Sequence, residues 1–172
     1  MSQGKLIALE GGEGAGKSTQ LRKLKEVFPD IVITREPGGT PYAEKIRQLL
    51  LMDSDGHDSS AHTQLALFWA ARADHIHRLI RPRLEAGETV VTDRFDLSTY
   101  AYQLCGKQAS KELEKLFWQM REVYVTSQLP VNSIHYIYLD IPPEVGLKRI
   151  AARSGEVTHF DRESLEFHQR VY

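Results

Sequence analysis

Gly11-Gly12-Glu13-Gly14-Ala15-Gly16-Lys17-Ser18 is the stretch that decides how this chain folds. It follows a short apolar run at residues 5–10 and opens a helical pattern at residues 17–28, in which Leu21, Leu24, Val27 and Phe28 recur at helical spacing. Between a strand and a helix, G-x-x-x-x-G-K-[ST] is a phosphate cradle. Its glycines let successive backbone N–H groups turn inward, and the helix N-terminus adds partial positive charge. Lys17 reaches the terminal phosphates of a nucleotide, and the Ser18 hydroxyl is placed to ligate Mg²⁺.

On either side of the cradle, short β-branched runs alternate with longer helical patterns. The runs at 5–10, 31–34, 89–92 and 135–140 predict strands. The patterns at 17–28, 43–51, 62–84 and 110–124, and at 144–152 after Pro142 and Pro143, predict helices. The polar stretch 53–60 (DSDGHDSS) reads as a loop. Such alternation, with near-continuous apolar strands, predicts a parallel sheet covered by helices on both faces, the three-layer α/β/α arrangement of P-loop proteins. Ligands then sit beyond the carboxyl ends of the strands.

The 172 residues carry 22 Lys+Arg against 23 Asp+Glu and are 41% hydrophobic, which suits a single domain over residues 1–172 that needs no disulfide or metal to complete its core. The near-zero net charge argues against a protein that coats nucleic acid. The longest apolar run, 65–71, is far short of the ~20 residues that span a bilayer. The chain reaches Glu10 and its glycine cluster without a signal-peptide pattern. Cys105, the one cysteine, has no partner for an intrachain disulfide. These features lead us to expect a cytoplasmic protein with no nucleic-acid or membrane partner.

Other residues bear on the chemistry. Asp93 closes an apolar strand and Arg94 follows it, so that a carboxylate for Mg²⁺ or its water adjoins a guanidinium that can fork onto a second phosphate; a turn cap and a surface ion pair are the simpler alternatives. The apolar stripe Leu65, Phe68, Arg72, Ile76, Leu79, Ile80 puts an arginine in line with core residues. Arg72 is therefore expected either in an internal ion pair or, with Phe68, gripping a planar ligand by stacking and bidentate hydrogen bonds. His75 and His77 lack metal-ligand spacing and read as structural or surface residues. Arg149 and Arg153 lie four apart, on one helical face, either over transferring phosphates or in solvent. Glu13, an acid inside a phosphate loop, either faces solvent or accepts a hydroxyl from a second substrate.

Class follows by exclusion. A GTPase needs Asn-Lys-x-Asp, and the single asparagine, Asn132, precedes Ser133; transport ATPases follow the second-motif aspartate with glutamate, whereas here Arg94 follows Asp93 and Ile141 follows Asp140. A small kinase remains.

The chain resembles thymidylate kinase, the ATP:dTMP phosphotransferase of the nucleoside-monophosphate kinase group, in its bacterial and phage form. The resemblance runs through residues 11–20 (GGEGAGKSTQ), 34–41 (TREPGGTP), 43–51 (AEKIRQLLL), 68–75 (FWAARADH), 93–103 (DRFDLSTYAYQ), 139–149 (LDIPPEVGLKR) and 167–172. It implies ATP on Gly11, Gly12, Glu13, Gly14, Ala15, Gly16, Lys17, Ser18 and Thr19, with Arg149 also against adenine. It implies Phe68 stacked on thymine, Arg72 and Thr99 on the polar edge of the base, and Gln103 closing the pocket. Glu13 would meet the deoxyribose 3′-hydroxyl and Tyr102 crowd the 2′ position. Arg47 and Arg94 would hold the acceptor phosphate, while Glu36, Ser98 and Asp93 organise Mg²⁺ and water and Ser18 ligates the ion. Lys17, Asp93, Arg94, Arg149 and Arg153 would be the catalytic group, with a lid over approximately 149–163 and a homodimer formed by helix packing. Phe95 stands where the family often has Tyr or His. The family sheet has five strands, so a strand and a final helix beyond Tyr172 are expected to be missing. Two other functions stay open on sequence alone: a non-catalytic or truncated nucleotide-binding protein, and a kinase for another deoxynucleoside monophosphate.

Overall fold

The computed structural model describes residues 4–130, 132–152 and 158–172. The strands are β1 (Lys5–Glu10), β2 (Val32–Arg35), β3 (Thr89–Asp93) and β4 (Ile134–Tyr138), all parallel, in the spatial order β2-β3-β1-β4. Each return to a parallel neighbour requires a crossover, and helices supply it. After β1 comes α1 (Lys17–Val27); after β2 come α2 (Pro41–Leu51), α3 (Ser54–Asp58), α4 (Ala61–His75) and α5 (Arg81–Glu85). After β3 come α6 (Asp96–Thr99) and α7 (Lys111–Arg121), and after β4 come α8 (Pro143–Ala151) and α9 (Leu165–Val171).

Several boundaries differ from the sequence expectation. The stretch 53–60 is not all loop: the Asp53 side chain accepts the Asp55 and Gly56 amides, and this cap supports the one-turn helix α3 inside a polar segment. The expected 62–84 helix is interrupted by a wide, i→i+5 turn at Ile76–Ile80 between α4 and α5. Pro82 explains the break, since it offers no N–H to the preceding turn and its ring crowds that turn's carbonyl. Wide turns also extend α6 through Tyr100–Gly106 and α7 through Glu122–Thr126. The helical segment after Arg94 has no counterpart among the expected helices. β2 and β4 are shifted, β4 ending at Tyr138 rather than 140.

The main core lies between the sheet and α4, α5 and α7, where Leu6, Ala8, Leu65, Trp69, Ile80, Val90, Phe95 and Phe117 are buried. Trp69 and Phe117 meet with ring centroids 5.3 Å apart. A second cluster joins α2 and α4 to α9 through Ile46, Leu50, Phe68, Tyr102, Phe160 and Phe167. This second cluster holds together the elements that frame the cavity described next.

Candidate functional site

A cavity of roughly 740 Å³ opens at the carboxyl ends of β1, β2 and β3. Its floor is the glycine loop. Gly14 adopts φ 69, and a Cβ there would lie 2.2 Å from the Gly146 carbonyl oxygen, so glycine is required both for the turn and for the approach of α8. Lys17 folds back over the loop and donates to the carbonyls of Gly11 and Gly12, both at 2.9 Å. Burial, and then the nearby Arg94 charge, lower its ammonium to about 8. Ser18 Oγ lies 3.4 Å from Asp93 Oδ2, bringing the first turn of α1 to the end of β3. Hydroxyl and carboxylate oxygens are hard donors, and the pair suits a Mg²⁺ ion that keeps most of its water.

Arg94 stands at the centre of the site. Its backbone takes φ 67, outside the region favoured by a side-chain-bearing residue, and its N–H is held by the Leu9 carbonyl at 2.9 Å. The guanidinium donates through Nη1 to Gly11 O (3.0 Å) and Ser98 Oγ (3.1 Å), and through Nη2 to Glu13 Oε1 (2.6 Å) and Tyr102 OH (3.1 Å). Tyr102 OH donates to the same Glu13 oxygen at 3.0 Å. Glu13 therefore does not point away into solvent: it clamps Arg94 across the loop. Burial pushes its carboxyl upward, but Arg94, Lys17 and the Tyr102 hydroxyl pull it net below the usual range. The guanidinium charge is in turn reinforced by Glu13 against desolvation.

The opposite wall is built on α4. Arg72 is 2% exposed. It donates from Nε to Glu36 Oε2 at 2.8 Å and from Nη2 to Thr99 Oγ1 at 2.9 Å, while its Nη1 has no partner. Trp69 and Phe95 flank the guanidinium, with ring centroids 4.6 and 5.3 Å away. The internal ion pair expected for Arg72 is therefore present, made with Glu36, and its buried Nη1 group is left without a partner. Phe68 lies one turn away and lines the same cavity.

The structure brings Glu13 to Thr19, Glu36, Arg47, Phe68, Arg72, Asp93, Arg94, Ser98, Thr99, Tyr102 and Arg149 to the cavity wall. Arg47 donates to the Pro37 carbonyl at 3.1 Å, and Arg149 to the Gly14 carbonyl at 3.3 Å. Three expectations change. Gln103 is fully buried and is not part of the wall. Glu36 has both oxygens engaged, by Arg72 and by His75. Ser98, expected to help organise Mg²⁺ and water, has its hydroxyl bound by Glu10 and Arg94. Arg153, and with it part of the expected 149–163 lid, lies outside the described residues.

Sequence reasoning missed Glu10. Its carboxylate, 4% exposed at the end of β1, accepts the Phe95 amide at 2.9 Å, the Ser98 amide at 3.3 Å and the Ser98 hydroxyl. It was also blind to Asp96, fully buried between Arg121 Nε and Tyr136 OH, both at 2.6 Å. An acid ending an apolar strand was the available signal for Glu10. No helix among the described residues is long and apolar enough to cross a membrane.

The thymidylate kinase family model matches residues 9–172. The chain is similar to the thymidylate kinase of Caulobacter vibrioides, 45% identical over 99% of this chain and 80% of that protein. It is similar to those of Protochlamydia amoebophila, 40% identical over 98% and 77%, and Pseudomonas putida strain F1, 45% identical over 98% and 78%. The crystal structure of thymidylate kinase from Ehrlichia chaffeensis superimposes with a TM-score of 0.68 at 30% identity, covering 86% of this chain and 77% of that one.

Proposed function

The chain belongs to the thymidylate kinase family, nucleoside-monophosphate kinases that transfer a phosphoryl group from ATP to dTMP, and on that footing we propose how the residues of the cavity divide the work. The observation that carries the assignment is Arg72, which lines the cavity together with Phe68, Thr99 and the phosphate cradle and whose buried Nη1 group has no partner. A donor suits the 4-carbonyl of thymine and opposes the 4-amino group of cytosine. Phe68 supplies the stacking face. ATP lies with its phosphates on the loop from Gly11 to Thr19, and Arg149 closes on it from α8. Arg153, by its spacing from Arg149, belongs to the same lid, approximately 149–163.

The acceptor is a phosphate already ionised near neutral pH, so the reaction needs no strong general base. Catalysis reduces to alignment and to cancelling negative charge on two phosphorylated substrates. Arg94 and Arg47 hold the acceptor phosphate, and Lys17 and Arg149 meet the transferring group. Glu13 and Tyr102 keep Arg94 aligned and border the deoxyribose, Glu13 toward the 3′-hydroxyl and Tyr102 toward the 2′ position. Ser18 and Asp93 hold Mg²⁺, which when bound neutralises and orients the donor phosphates. Closure of the lid excludes water, which strengthens these charges and suppresses hydrolysis.

A homodimer is part of the proposal. α7 and the turn beyond it expose Leu116, Trp118, Val123 and Tyr124, an apolar face suited to a second copy. A cytoplasmic location is consistent with the single free Cys105. The test is a coupled ADP-release assay with ATP and Mg²⁺ against dTMP, dUMP, dCMP, dGMP and AMP. Preference for dTMP and dUMP over dCMP is expected; preference for dCMP or a purine nucleotide would sink the base-site assignment.

A further inference from the structure

His75 is a residue singled out in the sequence that the reaction as described does not use. It sits three positions after Arg72 on α4, hence on the same helical face, and is fully buried. Its Nδ1 is 2.9 Å from Glu36 Oε1, and its Nε2 is 2.7 Å from Thr34 Oγ1 on β2. Glu36 in turn takes Arg72 Nε on its second oxygen, and Arg72 reaches Thr99. An ionised carboxylate only accepts, so the imidazole proton belongs on Nδ1; in the neutral ring Nε2 then accepts the Thr34 hydroxyl.

The fold makes room for this ring. A Cβ on Gly39, which has φ 84, would lie 2.5 Å from His75 Nε2 and 2.4 Å from Thr34 Oγ1, so only glycine lets the loop after β2 close over the pair. Every link of the chain Thr34–His75–Glu36–Arg72–Thr99 is a buried hydrogen bond. Two points of the Arg72 fork are thereby fixed, and Nη1 is the group left over.

We propose that His75 is a positioning residue for the nucleotide base: anchored by Thr34, it orients Glu36, and Glu36 fixes the Arg72 guanidinium so that its Nη1 group is the one kept for the ligand. The inference rests on the reading that Arg72 contacts the base. Without the Nδ1 donor, Glu36 is free to rotate and Arg72 loses its fixed angle, which weakens base contacts and blurs the choice between a 4-carbonyl and a 4-amino group while leaving the ATP side intact.

The test compares His75→Phe, which keeps a ring without donors, and His75→Asn, whose amide can place an N–H near the Nδ1 position, with Arg72→Lys, which keeps the charge opposite Glu36 without the planar fork. Steady-state KM for dTMP and for ATP, and the dTMP:dCMP preference, are the readouts. His75→Phe is expected to raise the dTMP KM about tenfold and narrow the dTMP:dCMP preference, with the ATP KM within about twofold of wild type. His75→Asn should recover most of the loss. In the Arg72→Lys background, His75→Phe should add little, because the group it aligns is gone. Equal losses in Phe and Asn variants, an undiminished effect in the Arg72→Lys background, or parallel rises in both KM values would overturn the relay. If Arg72→Lys moves the dTMP KM and His75→Phe does not, the relay fails alone; if Arg72→Lys leaves it unmoved, the base reading fails and takes the relay with it. Should His75→Phe not fold, Thr34→Val carries the same test by freeing Nε2, with a rise of about threefold expected and no rise contradicting the relay.

Discussion

Removing Arg94 should damage the protein in two ways that can be separated. Its Nη2 lies 2.6 Å from Glu13 Oε1, with the two side chains 16% and 18% exposed. Arg94→Leu strands the Glu13 carboxylate in a largely desolvated site, with Lys17 and, more weakly, His168 left to offset its charge. Breaking a fully buried pair costs about 3–5 kcal/mol, and residual solvent access trims the expectation here to about 2–3 kcal/mol. Adding Glu13→Gln removes the stranded charge yet keeps an acceptor for Tyr102, so the double variant should return to within about 1 kcal/mol of wild type. Catalysis should not return with it. Losing a cation that stabilises a transferring phosphoryl group costs on the order of 10³-fold in turnover. Urea unfolding followed by circular dichroism gives the stabilities, ADP release with dTMP gives turnover, and calorimetric titration should show ATP binding largely retained. A double variant as unstable as the single one refutes the Glu13 pairing. Wild-type turnover by Arg94→Leu refutes the acceptor-site role.

Lys17 gives a pH signature. Its folded value of about 8 lies below the ordinary 10.5, chiefly through burial, so the unfolded chain binds the extra proton between those values. Below pH 8 the buried ammonium therefore costs stability, and the cost fades as pH rises from 8 to 10.5; Lys17→Met should be more stable than wild type at pH 7, by about 3 kcal/mol at most, and equal to it near pH 11. A gap that stays constant across that range contradicts the burial argument. Gly146→Ala would place a Cβ 2.1 Å from the Glu13 carbonyl oxygen and push the loop off α8, so the ATP KM should rise about tenfold with little change in unfolding temperature. Asp96→Asn removes the buried charge between Arg121 and Tyr136, and chemical unfolding should report a loss of about 2–3 kcal/mol. An unchanged midpoint would show that the network contributes nothing net.

The cradle was legible because its chemistry is local: glycines, Lys17 and Ser18 are contiguous, and strand and helix patterns flank them. The parallel order of the sheet follows from the same alternation. What sequence left open depends on residues brought together from far apart. Glu13 has two local readings, and only the fold reveals Arg94, 81 positions away, as its partner. Glu10 and Ser98 are separated by 88 positions, and no period or motif links them. Arg72 was visible as an arginine in an apolar stripe, but its ion pair depends on Glu36 after β2. Helix boundaries slipped where side chains overrode pattern, at the Asp53 cap and ahead of Pro82.

The central claim is that this one cavity passes a phosphoryl group from ATP to a thymine nucleotide and does not simply hydrolyse ATP. The direct measurement is to incubate the 172-residue chain with γ-labelled ATP, Mg²⁺ and dTMP, and to follow the label by chromatography. The label should move to dTDP, one per ATP consumed, and the transfer should be nearly absent in Arg94→Leu/Glu13→Gln. Label released only as inorganic phosphate, or left in ATP whether or not dTMP is added, would contradict the account.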